Sequence, residues 1–323
     1  MKKKIVVLGG GTGSFITLSG LKKYPYDLSA IVTMMDDGGS TGKLRDQLGV
    51  LPPGDLRQCL IALSDAPDIW RKLFNYRFET GDLEGHSFGN ILLSALEKVT
   101  DSYDEVVDEA HRIMAVQGKV IPVTHDKSRI HVEYNSGRII EGEKFLDKKS
   151  ADGDRIKKIS LEPKATLNPK VIDAISNADF IIVGPGDLYS SIISISLVDG
   201  FKEVFKSAKA KIIFVMNLMT KSSQTPNYSS QDHIDDFSNF FGRQPDFAIT
   251  NSEQIPFEVV EYYKNESNDI VVSGKVLKVK EIRKPILSPL LNIKKSSLDQ
   301  PFAHSVIRHD VDKVAKAIVE VME

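Results

Sequence analysis

The sequence has a single cysteine, Cys59, which excludes an internal disulfide and any metal site built on several cysteine ligands. It has no run of about 18 apolar residues, so it predicts no transmembrane helix. The apolar run behind the three amino-terminal lysines ends at Leu8, too early for a signal peptide. A formal net charge of −2 gives no electrostatic attraction to nucleic acid or to an anionic membrane. We therefore expect a cytoplasmic protein with no nucleic-acid partner and no membrane insertion.

Several catalytic motifs are also missing. The sequence has no G-x-S-x-G nucleophile elbow, no zinc-ligand spacing and no assignable catalytic triad or Schiff-base lysine. Its 41% apolar and 27% charged residues are ordinary for a globular chain with a hydrophobic core. Nothing in the residues therefore requires covalent catalysis.

The amino-terminal segment has the pattern of a nucleotide-binding βαβ unit. Residues 4–8 predict a buried strand, residues 9–14 form a glycine loop, and apolar residues at helical spacing follow. Such a loop brings bare backbone N–H groups and the positive end of a helix dipole beside a phosphate. Ser14 replaces the last glycine of G-x-G-x-x-G, and the Lys-Ser/Thr of a P-loop is absent, which disfavours an ATPase of that type. A tight structural turn is the alternative.

A second loop of acidic and small residues follows a strand predicted at residues 28–35. In dinucleotide-binding folds an acidic residue at the end of the second strand binds ribose hydroxyls. Two adjacent carboxylates, Asp36 and Asp37, could instead hold Mg²⁺, which prefers oxygen ligands. An ordinary Asp-Gly turn also explains the pattern. We interpret the loop as a binding loop.

Two further segments place polar residues at predicted helix starts. Asp55 can cap a helix at residues 56–63, and Arg57 in its first turn is disfavoured by the helix dipole. That position indicates a phosphate or carboxylate partner, with a solvated arginine as the alternative. Asn90 can cap an apolar helix at residues 91–99, and His86 is a candidate general acid or base, although a loop histidine is more often only polar.

Residues from about 120 to 161 interrupt the α/β pattern. Residues 130–134 and 138–142 flank an Asn-Ser-Gly turn and predict a β-hairpin, and residues 156–161 predict another strand. We expect an inserted antiparallel flap at about residues 120–161 within a single α/β domain that spans residues 1–323. The flap could cover a site or mediate dimerisation.

The α/β pattern then returns, and polar loops follow its strands. Helices are predicted at Pro169–Ser176, 232–241 and 310–322, and strands at Phe180–Val183, Lys211–Val215 and 246–249. Five apolar runs, including the two near the amino terminus, end in loops of Gly, Asp, Asn, Ser or Thr. In a parallel sheet such ends share one edge, where ligands bind. The helix after Gly186 offers a second N-terminus for a phosphate, with the hydroxyls of Ser190 and Ser191 beside it.

Six segments stand in a fixed order along the chain: residues 9–13 (GGGTG), 36–40 (DDGGS), 53–57 (PGDLR), 85–90 (GHSFGN), 184–192 (GPGDLYSSI) and 307–310 (IRHD). Together they resemble the YvcK-like gluconeogenesis-factor branch (UPF0052) of the family that includes 2-phospho-L-lactate transferase, and the resemblance runs essentially end to end. It implies the CofD-like fold, a Rossmann-like three-layer α/β core with a mainly parallel sheet. It also implies a homodimer or higher homo-oligomer.

The resemblance implies a function as well. The gluconeogenesis-factor branch is linked to cell shape and to peptidoglycan supply on gluconeogenic carbon sources, and its members bind UDP-sugars such as UDP-GlcNAc. The transferases join a phospholactyl nucleotide to a deazaflavin, with Mg²⁺ at the acidic loop. We expect a protein that binds a UDP-sugar or a dinucleotide. A Mg²⁺-dependent transferase acting on a nucleotide diphosphate conjugate is the alternative, and an NAD-dependent oxidoreductase is a third. Whether the protein is an enzyme stays open.

The motifs and the resemblance together define the expected site. Tyr263 and Arg308 match positions associated with uridine-sugar binding, although by themselves Tyr263 would be a half-buried helix aromatic and Arg308 a surface charge near a helix cap. Val311 stands where some members carry a phosphorylatable Thr, so regulation at that position is not expected. Asp36 and Asp37 are the expected Mg²⁺ ligands. The expected ligand-binding residues are Gly10, Gly11, Thr12, Gly13, Asp36, Asp37, Ser40, Arg57, Asn90, Gly184, Gly186, Tyr189, Ser190, Asn217, Tyr263 and Arg308.

Overall fold

The computed structural model describes residues 2–146, 153–267, 269–288 and 307–323 of the chain. The strands are β1 (Lys4–Gly9), β2 (Asp27–Val32), β3 (Lys119–Pro122), β4 (Arg129–Tyr134), β5 (Ile139–Glu141), β6 (Ile156–Glu162), β7 (Phe180–Val183), β8 (Lys211–Val215), β9 (Phe247–Asn251) and β10 (Lys280–Lys284). The helices are α1 (Gly11–Leu21), α2 (Gly39–Leu48), α3 (Pro53–Leu63), α4 (Asp68–Asn75), α5 (Phe88–Val99), α6 (Tyr103–Ile113), α7 (Glu143–Leu146), α8 (Pro169–Ser176), α9 (Ser194–Ser196), α10 (Phe201–Ser207), α11 (Ser230–Phe241), α12 (Phe257–Ser267) and α13 (Val311–Met322). A π-helical turn, Leu188–Ile193, precedes α9.

The main sheet has seven strands in the order β10-β9-β8-β7-β1-β2-β3, and all neighbouring strands are parallel. From β1 the chain builds outward through β2 to β3, then returns to place β7 on the other side of β1 and builds outward to β10. The order therefore reverses between β1 and β7. In open α/β sheets the crevice at such a reversal, at the carboxyl ends of the strands, is where ligands bind.

Alternating residues of each central strand enter two hydrophobic clusters, one on each face of the sheet. Val6 and Leu8 of β1 belong to one cluster, and Ile5 and Val7 belong to the other. The first cluster is covered by α8, the π-helical turn, α10 and α11, and the second by α1, α3, α5, α6, α12 and α13. This burial on both faces explains why the central strands are continuous apolar runs. The predicted three-layer α/β fold is confirmed.

The predicted bounds of α8, β7 and β8 are confirmed, but several helix starts were predicted too late. The second strand ends at Val32, and α2 already begins at Gly39, so the small residues of the acidic loop form a helical turn. Helix α3 begins at Pro53, and Asp55 lies inside it rather than capping it. Ser87, not Asn90, caps α5, since its hydroxyl accepts a hydrogen bond from the Asn90 N–H.

The interrupted region contains a three-stranded antiparallel sheet in the order β5-β4-β6. The predicted hairpin and the additional strand are confirmed, whereas β3 belongs to the main sheet, so the antiparallel part begins after Pro122. Residues of β4 and β6 share a hydrophobic cluster with the main sheet, which fixes the small sheet against the core. Residues 147–152 of the expected flap lie outside the described residues. Among the described residues, no helix combines the length and apolarity needed to cross a membrane.

The loops after β1 and β7 approach each other so closely that a side chain does not fit between them. A Cβ atom on Gly13 would lie 1.7 Å from the Pro185 carbonyl oxygen, whereas a Cβ on Gly186 would meet nothing closer than 3.5 Å. We expect Gly13→Ala to lower the free energy of unfolding by about 3 kcal/mol, because backbone has to move. Gly186→Ala is the matched control and should change it by less than about 0.5 kcal/mol. Denaturant titration measures both, and equal stability of the two variants would contradict the close approach.

Candidate functional site

A cleft of about 550 Å³ opens at the carboxyl edge of the main sheet, where the strand order reverses. We name it the switch-point cleft. The loop after β1 forms one wall, and the loops after β7 and β8 form the other. The expected site residues that line it are Gly10, Gly11, Thr12, Gly13, Asp36, Gly186, Asn217, Tyr263 and Arg308. The structure thus brings together residues that lie as much as 298 positions apart in the chain.

A separate depression of about 490 Å³ lies at the opposite edge, beside Lys4, Asp27 and Lys119 at the starts of β1, β2 and β3. The glycine loop is not part of its lining. The glycine loop, which predicted a phosphate site, therefore belongs to the switch-point cleft and not to this depression.

The glycine loop leads into α1. The N-cap residue of this helix, Gly10, has no side chain that could accept a hydrogen bond from the first turn. The Asp55 carboxyl takes part of that role, because it accepts a hydrogen bond from the Gly11 N–H. A Cβ on Gly10 would lie 2.2 Å from an Asp55 oxygen, and Gly11 has a φ of +54°. Both positions therefore require glycine, one for space and one for backbone conformation. The first turn of α1 is left facing the cleft with the positive end of the helix dipole.

Two half-buried carboxyl groups, Asp36 and Asp55, lie at the base of the cleft. Burial raises the pKa of Asp36, and burial together with the neighbouring Asp36 charge raises the pKa of Asp55 well above its usual value. An Asp36 oxygen accepts a hydrogen bond from the Gly38 N–H at 2.8 Å, and Glu143 of α7 also hydrogen-bonds to the Asp36 carboxyl. The small sheet thus delivers a third acid to the cleft.

Asp37 does not line the cleft with Asp36. It is 2% exposed, and one of its oxygens lies 3.9 Å from the Arg129 guanidinium of β4. Within the described residues no group of three or more His, Cys, Asp or Glu side chains is arranged to hold a metal ion. Mg²⁺ commonly keeps several waters and takes only one or two carboxylates together with substrate phosphates. Asp36 and Asp55 fit that requirement, whereas the expected pair Asp36 and Asp37 does not share the cleft.

The opposite wall is held together by contacts between loops. Asn217, after β8, donates from Nδ2 to the Gly186 carbonyl at 2.8 Å, and Lys221 forms an ion pair with Asp187. The loops after β7 and β8 therefore form one connected surface opposite the glycine loop.

The third side of the cleft combines α12 with the segment before α13. The Tyr263 hydroxyl accepts a hydrogen bond from the Ile307 N–H at 3.1 Å, and the exposed Arg308 follows. His309 Nε2 lies 3.0 Å from the Met216 carbonyl, and burial lowers the pKa of His309 to about 4. The ring is therefore neutral near pH 7, and its Nε2–H donates to that carbonyl.

Arg57, Ser40 and Asn90 lie behind the cleft and bind one another instead of lining it. Arg57 donates from Nε to Asn90 Oδ1 at 2.8 Å, and Asn90 donates from Nδ2 to Ser40 Oγ at 3.3 Å. Ser40 Oγ is 2.9 Å from His86 Nδ1, and Arg57 also donates to Asn75 Oδ1 at 3.0 Å. The alternative of a solvated Arg57 is wrong, since this residue is 5% exposed.

The other expected residues outside the lining follow β7. The Gly184 carbonyl accepts a hydrogen bond from the Thr17 hydroxyl at 3.2 Å. Tyr189 and Ser190 lie inside the π-helical turn and are buried: Tyr189 donates to Asp236 at 2.5 Å, and Ser190 Oγ accepts from Gln224 at 3.3 Å. The helical turn at Leu188 therefore directs Ser191, rather than Ser190, to the cleft.

Several lining residues were missed by sequence reasoning as ligand candidates, among them Asp55, Glu143, Asp187, Lys221, Asp269 and His309. Asp55, Asp187 and His309 lie inside motifs that the sequence analysis identified. These motifs give their positions in the chain but do not show that their side chains face the cleft. Glu143 comes from α7, which follows β5 of the small sheet, and no local pattern connects it with the glycine loop.

The low pKa of His309 predicts an acid-sensitive contribution to stability. In the unfolded chain the His309 imidazole binds a proton near pH 6.5, and in the folded chain it does so only near pH 4. The stabilisation contributed by neutral His309 is therefore complete above pH 6.5 and is lost as the pH falls toward 4. His309→Gln can still donate to the Met216 carbonyl but does not titrate. We expect the stability difference between wild type and this variant to change by at most about 3 kcal/mol over that range. A pH-independent difference in denaturant unfolding would contradict a neutral, buried His309.

Comparison with known proteins places the chain and its fold in a family. A family model described as 2-phospho-L-lactate transferase CofD matches residues 5–288. The gluconeogenesis factor of Bacillus subtilis (strain 168) is 37% identical over 100% of this chain and 99% of its own, and that of Halalkalibacterium halodurans is 35% identical over 99% and 96%. The crystal structure of a UPF0052 family member from Bacillus halodurans has a TM-score of 0.88 at 33% identity and covers 99% of both chains. The chain therefore belongs to the CofD family and stands with its gluconeogenesis-factor members.

Proposed function

We propose that the protein is a gluconeogenesis factor that binds a UDP-sugar such as UDP-GlcNAc in the switch-point cleft. The observation that carries this proposal is the meeting of the first turn of α1, where Gly10 provides no side-chain cap, with Tyr263 and Arg308 in one cleft. A diphosphate is favoured at the helix N-terminus, an aromatic ring favours a base, and a guanidinium favours phosphate oxygens. The relatives with this name support the same role. In the cell the protein would act in the cytoplasm, in cell shape and peptidoglycan supply during gluconeogenic growth.

The charge of the cleft indicates a requirement for a cation. Carboxyl groups outnumber the permanently charged basic groups in its lining: the acids are Asp36, Asp55, Glu143, Asp187 and Asp269, and the bases are Lys221 and Arg308. A diphosphate that enters such a cleft is repelled unless some carboxyls are protonated or a divalent cation neutralises them. We propose that Mg²⁺ on Asp36 and Asp55 accompanies the nucleotide.

The two half-buried carboxyls also favour a second function, a Mg²⁺-dependent transferase of the 2-phospho-L-lactate transferase type. Mg²⁺ held there would supply charge stabilisation on a phosphoryl group, while the α1 amide groups would orient the diphosphate. Turnover of a nucleotide conjugate would favour this enzyme, and saturable binding of UDP-GlcNAc without turnover would favour the binding protein.

The family resemblance supports self-association as well. We propose a homodimer or higher homo-oligomer, for which light scattering of the purified full chain gives the mass directly.

Thr12→Glu tests the phosphate subsite without weakening α1. Thr12 is exposed in the first helical turn, where a carboxylate is favourable to the helix dipole but repels a diphosphate. We expect UDP-GlcNAc to bind at least about 100-fold more weakly, with an unchanged melting temperature, and Thr12→Ser to bind as wild type. Isothermal titration calorimetry measures both variants. Wild-type affinity in Thr12→Glu would remove the glycine loop from the site.

Removal of Mg²⁺ tests whether the nucleotide binds together with a divalent cation. We expect chelation by EDTA to weaken UDP-GlcNAc binding about tenfold or more, because the carboxyls then face the diphosphate directly. Asp36→Asn should abolish this Mg²⁺ dependence, and Asp37→Asn should retain it in protein shown to be folded by circular dichroism. A Mg²⁺ effect that disappears in Asp37→Asn but survives in Asp36→Asn would contradict the assignment to Asp36 and Asp55.

A further inference from the structure

A second opening of about 530 Å³ lies beside the switch-point cleft, at the carboxyl ends of β8, β9 and β10. We name it the lateral cleft. Asn217 and Leu218, which follow β8, line both openings. The two openings are therefore adjacent at these two residues.

The lining of the lateral cleft is suited to a hydroxyl-rich group. Its polar side chains include Thr250, Asn251, Gln254, Glu281 and Arg283, which together offer both donors and acceptors. Its apolar part is aliphatic and includes Ile255 and Val260. Aromatic rings are absent from this lining as described, so it offers no stacking surface for a nucleobase.

Internal hydrogen bonds hold three of these polar side chains, Thr250, Asn251 and Glu281, in place. The Thr250 hydroxyl donates to Glu281 Oε1 at 2.8 Å and so connects β9 with β10. Asn251 donates from Nδ2 to the Glu253 carbonyl at 2.8 Å. The groups are therefore fixed before a ligand arrives, which lowers the entropy lost on binding.

Asn217 marks the junction of the two clefts. Its Nδ2 is committed to the Gly186 carbonyl, which fixes the orientation of the amide. Its Oδ1 is buried and has no hydrogen-bond partner within the described part of the chain. Buried acceptors are nearly always satisfied, so an unsatisfied oxygen on a residue shared by the two linings favours a ligand hydroxyl there as its partner.

We propose that the lateral cleft is the subsite for the sugar half of the nucleotide conjugate, an inference that rests on the proposed function. Tyr263, which is only 9% exposed, lines the switch-point cleft where the base would lie, and the first turn of α1 provides donors for the diphosphate. The hydroxyl groups of the sugar then form hydrogen bonds with the polar side chains of the lateral cleft, beyond Asn217. The lateral cleft, and not the nucleotide site, determines which sugar is accepted.

The test compares UDP, UDP-glucose and UDP-GlcNAc by calorimetry on the full chain with Mg²⁺ present. Gln254 and Arg283 are exposed, so Gln254→Ala and Arg283→Ala leave the core intact. We expect each variant to bind the two UDP-sugars about 3- to 10-fold more weakly, as for the loss of one hydrogen bond, and to bind UDP as wild type. Glu258→Ala, an exposed change on α12 outside both linings, is the matched control and should bind all three ligands as wild type.

The outcomes separate the two proposals. Absence of UDP and UDP-sugar binding to the wild type would overturn the proposed function. Tight UDP binding to which the sugar adds nothing, or wild-type UDP-sugar affinity in both variants, would leave the nucleotide site intact and overturn the sugar subsite. Equal weakening of UDP and of the UDP-sugars would place the nucleotide half in the lateral cleft and would also overturn it.

Discussion

The close approach of two backbone segments, Gly13 and Pro185, is the contact on which the site depends. Parallel pairing of β1 with β7 brings their carboxyl ends together, and the missing side chain of Gly13 lets the two loops touch. The strand order reverses at this same place, so helices leave the two strands on opposite faces of the sheet and open a crevice above them. The strand topology and Gly13 therefore produce the cleft, and the polar residues that line it determine which ligand it binds.

The acids in the cleft show that this arrangement is not optimised for stability alone. Asp36 and Asp55 are half-buried; desolvation raises the pKa of both, and the Asp36 charge raises that of Asp55 further. A structural network would pair each carboxyl with a cation, as Lys221 is paired with Asp187 on the opposite wall. Asp36 and Asp55 form no such ion pair within the part of the chain that the structure describes, and their place next to a helix N-terminus supports the proposed Mg²⁺–diphosphate ligand.

The sequence predicted those parts of the fold whose signal is local. Strands β7 and β8 were predicted with correct bounds because they are continuous β-branched runs between turn residues. Strand β10, KEIRK, was missed since it is a polar edge strand with no apolar run. Pro53 and Gly39 each begin a helix where small and turn-forming residues predicted a loop, because proline is favourable at a first helical position and packing outweighs weak propensity.

The same limit explains which site residues could be recognised. A motif shows that Arg57, Asn90 and Ser40 are special, but not whether they face a ligand or one another. The direction is set by the helix phase, and α5 begins two residues before Asn90, which turns its amide toward Arg57 of α3 and Ser40 of α2. Ser40 stands in the first turn of the helix that follows Asp36, so this buried network holds the acidic loop from behind. Polar motifs in this fold therefore have two physical roles: one group contacts the cleft, and the other fixes the loops that form it.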